Sequence, residues 1–204
     1  MKSVLIAIQP KYCELIANGK KTVEVRKTKP KLDVPFKCYI YCTNKKPSDN
    51  EWQYKPNLYL DKTTKPYKVH WIDVEFTRTY NCEYLQQRVI GEFVCDEIHE
   101  FTKAFFDEQE PQDTDEIEFW LNQFNLSYNE LRSYVGTNDF YGWHITDLVI
   151  YDKQKELGEF KKIYRECWYA DLGLAKRDCS ECKNADCFVK RPPQSWCYVE
   201  DLGV

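Results

Sequence analysis

Residues 3–8, Ser-Val-Leu-Ile-Ala-Ile, are apolar almost throughout, the pattern of a strand covered on both faces. Pro10 suits the first turn of a helix, and Tyr12, Leu15 and Ile16 fall on one face at helical spacing. Gly19 stands where such a helix must leave in the left-handed conformation. The period then changes. From Thr22 to Lys27, Val23 and Val25 oppose Thr22, Glu24 and Arg26, which predicts a half-buried strand with a polar face. Phe36 to Cys42, rich in Tyr, Ile and Phe, predicts another strand.

Residues 44–88 read as an insertion on the core: a loop over Asn44–Asp49, then a hairpin of Leu58–Leu60 and Val69–Phe76 turning near Thr64–Pro66. Val89 to Cys95 resumes a strand. Asp107–Asp115 is an acidic loop containing Pro111, and Ile117, Trp120, Leu121 and Phe124 mark an amphipathic helix. Ser127 and Glu130 have capping-box spacing and Leu126 can staple onto Leu131, so a second helix is predicted from Tyr128. Gly142–Tyr151 reads as one strand, Glu156–Phe160 as a helical turn, and Ser195–Val199 as a closing strand behind Pro192-Pro193. Many strands, few helices and no regular βαβ alternation predict an α+β barrel, a single domain over residues 1–204.

With 43% apolar and 16% aromatic residues, the chain can bury a substantial core. It shows no internal repeat, no membrane-length apolar run and no apolar signal segment, so a cytoplasmic protein without membrane contact is expected. Ten cysteines without an export signal are expected to be reduced thiols. Cys13, Cys38, Cys42 and Cys95 lie in apolar segments like small core residues.

Cys179, Cys182 and Cys187 crowd together, and the Cys-x2-Cys pair has the spacing of a thiolate knuckle within a cysteine-rich region at about 167–190. A structural zinc is expected there, with Cys197 or Cys167 as fourth ligand. Cys197 would clamp the knuckle to the closing strand; Cys167 would leave it self-contained.

Net charge is −4, yet residues 1–50 hold eleven Lys and Arg against four acids, a local balance of +7. That asymmetry predicts a positive face able to attract phosphate. Its centre is Gly19-Lys20-Lys21-Thr22-Val23-Glu24-Val25-Arg26, where a helix ends and a strand presents polar groups. Lys20, Lys21, Thr22 and Arg26 can meet phosphate or a base edge, and Glu24 can accept from a base amino group. The acidic stretch 97–118 also allows a protein partner, which makes an interaction adaptor a third reading. The chain has no Gly-rich phosphate loop, His-Glu-x-x-His or Gly-x-Ser-x-Gly.

The Gly-x-Lys-x-x-Glu-x-Arg pattern after a short helix resembles the ASCH family, a branch of the PUA-like superfold. Ile8–Tyr12, Tyr141–Ile145 and Arg191–Glu200 are similar to the longer, phage- and Gram-positive-type members. The resemblance implies a PUA-like β-barrel flanked by short helices, with the octet lining a basic cleft for RNA or a modified nucleoside. Lys21, Glu24 and Arg26 occupy the motif positions, and Trp143 and His144 would stand nearby, where a ring can stack on a base. One branch of the family hydrolyses N4-acetylcytidine with a lysine and a threonine of this octet. Lys21 matches that lysine and would be the catalytic residue of a hydrolase. The threonine position is Glu24 here, and Thr22 lies two residues away, too far to place a nucleophile equivalently. Binding is therefore the first expectation and hydrolysis of a modified nucleoside or RNA the alternative.

Overall fold

The computed structural model describes residues 2–44, 57–63, 65–72, 82–106, 114–163 and 187–203. Strand β1 (Lys2–Ile8) explains the continuous apolar run at the start. Val4, Ile6 and Ile8 point into the main core, while Leu5 and Ala7 point into a second one. Helix α1 (Pro10–Ala17) follows, with Pro10 at its first turn, and the chain leaves it through Gly19 at φ 69°. Strand β2 (Val23–Arg26) comes next, then β3 (Phe36–Cys42), whose Phe36, Cys38, Ile40 and Cys42 share the main core with β1.

Leu58–Leu60 and the start of the predicted second strand pair as a hairpin of β4 (Asn57–Asp61) and β5 (Lys68–Ile72), to which β6 (Cys82–Tyr84) adds a third strand. Residues 73–76 of that prediction, and most of the predicted loops 44–49 and 107–115, lie outside the described residues. β7 (Arg88–Cys95) precedes β8 (Ile98–Phe101), helix α2 (Thr114–Phe124) and helix α3 (Tyr128–Val135). The remaining strands are β9 (Phe140–His144), β10 (Thr146–Lys155) and β11 (Trp196–Glu200), with a 3-10 turn at Leu157–Glu159.

The fold is α+β, as the periodicity predicts, but the expected closed barrel is not found among the described residues. The strands form a five-stranded sheet in the order β10-β7-β3-β1-β11 and two three-stranded sheets, β2-β9-β8 and β5-β4-β6. Side chains from all three sheets meet in the main core: Val4 and Ile40 from the large sheet, Trp143 from β9, and Leu58, Leu60 and Val69 from the hairpin. A third core lies between β2–β9 and helices α2 and α3, formed by Val23, Val25, Phe124, Leu131 and Phe140.

Two local differences from the sequence pattern have clear causes. Gly142–Tyr151 is two strands, because the chain passes at Ile145 from the β2-β9-β8 sheet to the edge of the large one. Gly142 lies where a Cβ would come within 2.8 Å of the Val23 side chain, so it keeps β9 close to β2. Gly91 is more constrained still, since its Cβ would sit 2.3 Å from the Val149 carbonyl of the neighbouring bulged strand. β8 escapes the pattern because His99 and Glu100 interrupt its apolar run.

The four cysteines expected in the core are there. Cys13, Cys38, Cys42 and Cys95 are all fully buried. Burial pushes the thiols of Cys13 and Cys38 well up, and that of Cys95 up to about 12. In native protein at pH 8 these four should resist a chromogenic disulfide reagent for hours and react within minutes after denaturation. Peptide mass spectrometry locates the label, and rapid native labelling at any of the four would contradict this packing.

Candidate functional site

Glu24 and Arg26 project from the face of β2 opposite Val23 and Val25, as the alternation predicts. That face is covered rather than half-exposed. Helices α1 and α3 and the strap Pro192–Ser195 rise around it and leave a cleft of about 380 Å³. Lys21, Glu24 and Arg26 all line it and are 2%, 5% and 6% exposed. The three predicted groups therefore converge in a concavity.

Their partners define what they can do. Arg26 Nη2 lies 2.8 Å from Glu24 Oε1 and donates to the Ala7 carbonyl at 2.8 Å. Arg26 Nη1 donates to the carbonyl and hydroxyl of Ser195 at 3.4 and 3.3 Å, so the guanidinium ties β2 to β1 and to the strap. Lys21 Nζ is 3.6 Å from Glu24 Oε2 and donates to the Phe124 carbonyl at 2.6 Å. Phe124 is the last residue of α2, so the ammonium satisfies a carbonyl that the helix leaves open and complements its dipole. Burial lowers the Lys21 pKa, partly offset by the Glu24 carboxylate.

The expectation of a basic cleft is corrected by this arrangement. Lys21 and Arg26 are met by Glu24, and Glu130, a second carboxylate in the lining, pairs with Lys11 at 2.8 Å. The cations are turned toward protein acceptors, so the cleft offers little to a bare phosphate. It offers instead a carboxylate held in place from both sides, with Tyr12 of α1 and Tyr134 of α3 in the walls. Burial raises both tyrosine pKa values, keeping the hydroxyls protonated as donors. Sequence reasoning finds neither tyrosine as a site residue. Tyr12 reads as part of a helix face and Tyr134 carries no motif, and only the approach of α1 and α3 brings them to β2.

The other predicted site residues lie elsewhere. Trp143 is opposite Glu24 in the β2–β9 register but fully buried, its ring 5.8 Å from Phe36 and 6.0 Å from Trp196. It is part of the core behind the cleft and cannot stack on a guest. His144 falls on the opposite face of β9, paired in register with Val23, and its Nδ1 is 2.7 Å from Asp96 Oδ1. Lys20 is exposed and outside the cleft lining. Thr22 donates its hydroxyl to the Gln123 side chain, away from the cleft.

In the acidic stretch, Glu97 faces His99 at 3.4 Å, Glu100 pairs with Lys29, and Asp115 and Glu116 occupy the first turn of α2, where the dipole favours carboxylates. No group of three metal-ligating side chains occurs among the described residues. Cys167, Cys179 and Cys182 lie outside those residues. Cys187 is buried and Cys197 half-buried. No described helix is long and apolar enough to cross a membrane.

The motif positions thus share one cleft, and the ASCH domain matches the chain over residues 6–159. The chain belongs to the ASCH domain family. The ASCH structure from Zymomonas mobilis is similar, at 16% identity over 97% of this chain and 87% of that one, with a TM-score of 0.46. A tyrosine-to-phenylalanine variant of the Zymomonas protein gives 15% identity over 98% and 91%, with a TM-score of 0.45. No curated protein matches. The family match ends before the strap and β11, although Ser195 supplies one side of this ASCH domain's cleft and a partner for Arg26.

Glu130 also links the cleft to stability. Its side chain accepts from the Lys11 ammonium, and from the Ser127 amide and hydroxyl at 2.9 and 2.8 Å, completing the predicted capping box. The Lys11 bond first, then the Ser127 donors, holds its pKa down at about 2. The folded pKa lies below the unfolded value of about 4.3, so this stabilisation is complete above the unfolded value and is lost as pH falls through the folded one. Because the pair is exposed, its contribution is small. Glu130→Ala should cost about 1 kcal/mol at pH 7, and a cost that shrinks steadily as pH falls toward the folded value is expected, measured by urea unfolding across that range. A cost independent of pH would contradict the assignment.

Proposed function

We propose that this ASCH domain binds a base of a nucleic acid, with RNA or a modified nucleoside as the guest. The carrying observation is the Glu24 carboxylate fixed by Arg26 and Lys21 in a cleft walled by Tyr12 and Tyr134. A carboxylate accepts hydrogen bonds only, so the guest must present an amino or imino N–H to it. The aromatic walls supply sequence-tolerant stacking area. Membership of the ASCH family supports the reading, and so does the contribution of the strap, which favours the longer subtype of the family.

Fluorescence anisotropy with short single-stranded RNAs, and calorimetry with nucleosides, test this. Tyr134→Ala removes a partly exposed wall and should weaken binding by roughly 5- to 150-fold, the equivalent of about 1–3 kcal/mol of stacking. Glu24→Gln should weaken it at least as much. Wild-type affinity in both variants would remove the site.

The lowered pKa of Lys21 favours a second reading, hydrolysis of a modified nucleoside. Against it, Thr22 is turned toward Gln123 and Lys21 Nζ is engaged by the end of α2. Product formation from N4-acetylcytidine that vanishes in Lys21→Ala would establish hydrolysis; no product with any variant removes it.

We also propose a structural zinc on Cys179, Cys182 and Cys187 with Cys197 or Cys167. Cys187 and Cys197 flank one short segment, since the Cys187 carbonyl accepts from Lys162 and the carbonyl beside Cys197, that of Tyr198, accepts from Ile163. Metal analysis with thiol counting decides it.

A further inference from the structure

A second groove, of about 640 Å³, opens beside the cleft and is lined by Tyr41, Arg88, Glu156, Phe188 and Lys190. Pro192 is a wall of both concavities. The two also share the end of β3. Tyr41 lines the groove and Thr43 the cleft, two residues and therefore about 7 Å apart along an extended chain. The two concavities are therefore adjacent, with Pro192 between them.

The groove differs from the cleft in chemistry. In the cleft the cations are buried and turned inward; in the groove they are at the surface. Arg88 is 40% exposed and its partner Glu156 61%, with Nε to Oε1 at 3.1 Å. Such a solvent-screened pair contributes little, so a phosphate can replace Glu156 as the arginine's partner. Lys190 also lines the groove and is exposed, and Lys161 Nζ lies 5.8 Å over the half-buried Phe188 ring. Arg88 and Lys190 in the lining, beside an aromatic ring, are the kinds of group that track a sugar-phosphate backbone.

We infer that the groove across Pro192 holds the phosphates of a single-stranded nucleic acid whose base occupies the cleft. The inference rests on the base-binding reading of the cleft and extends it from a nucleoside to a strand. The site is assembled from β3, β7, the 156–158 turn and residues 188–192, none of which belongs to the motif octet.

The test compares a nucleoside monophosphate with single-stranded RNAs and DNAs of two, four and eight nucleotides, in wild type and in Arg88→Ala/Lys190→Ala. In wild type the tetramer should bind at least tenfold more tightly than the monophosphate. The double variant should lose that gain while binding the monophosphate unchanged. Its salt dependence with the octamer should fall by roughly 0.7 in log–log slope for each phosphate that the variant no longer neutralises. Length-independent affinity, with monophosphate binding still sensitive to Glu24→Gln, would overturn the groove and leave the cleft reading standing. Strand binding sensitive to the double variant but indifferent to Glu24→Gln and Tyr134→Ala would overturn the base in the cleft instead. A gain in affinity with length supports recognition through the backbone, and a gain confined to RNA or to DNA identifies that strand as its source.

Discussion

Arg26→Ala should lower the melting temperature by roughly 10 °C and abolish ligand binding. Removing one partner of a buried ion pair costs about 3–5 kcal/mol, because the other charge stays buried without compensation. In a domain of this size each kcal/mol corresponds to about 2–4 °C. Four acceptors lose this donor together: Glu24, the Ala7 carbonyl, and the carbonyl and hydroxyl of Ser195. Arg26→Lys should recover little, since one ammonium cannot reproduce a planar fork reaching both β1 and the strap. Differential scanning fluorimetry with urea unfolding checks both variants. A shift below about 2 °C for Arg26→Ala would mean that the network contributes nothing to the fold and that its geometry has been misjudged.

Trp143→Ala should be comparably damaging for a different reason. The side chain is fully buried and packs against Phe36 and Trp196, so its removal leaves a cavity at the meeting of two sheets. Truncation of a buried Trp costs about 3–5 kcal/mol. Its indole N–H has no acceptor among the described residues, so Trp143→Phe gives up no hydrogen bond and should cost about half as much or less. The pair of variants separates core from ligand contact. If Trp143→Phe unfolds normally yet binds RNA as wild type does, the ring is structural. Loss of binding without loss of stability would return Trp143 to the cleft.

The octet shows what is legible in a sequence. Its alternation places Glu24 and Arg26 on one face and Val23 and Val25 on the other, because a pleated strand leaves no other choice. Gly19, the Ser127–Glu130 box and the buried cysteines are readable for similarly local reasons. Exposure is not local. Whether a polar strand face meets water or a wall depends on where α1, α3 and the strap dock, and the strap lies 169 residues from Arg26 at Ser195. Long sequence separation likewise conceals Tyr134 and turns an expected basic surface into a charge-balanced recess. Trp143 and His144 fail as site residues for different reasons: Trp143 shares Glu24's side of the sheet but is packed into the core beside the cleft, and His144 falls on the other side with Val23.

The position of β1 inside the large sheet has a temporal consequence. It is flanked by β3 and by β11, whose residues follow it by almost the whole described chain. On a translating ribosome, therefore, β1 can join β3 early but keeps one open edge until Trp196–Glu200 has emerged. Ser195, immediately before that strand, then meets Arg26 and finishes the recess. The recess is thereby closed only after β11 has been synthesised, and a nascent chain stalled before this point lacks one of its walls.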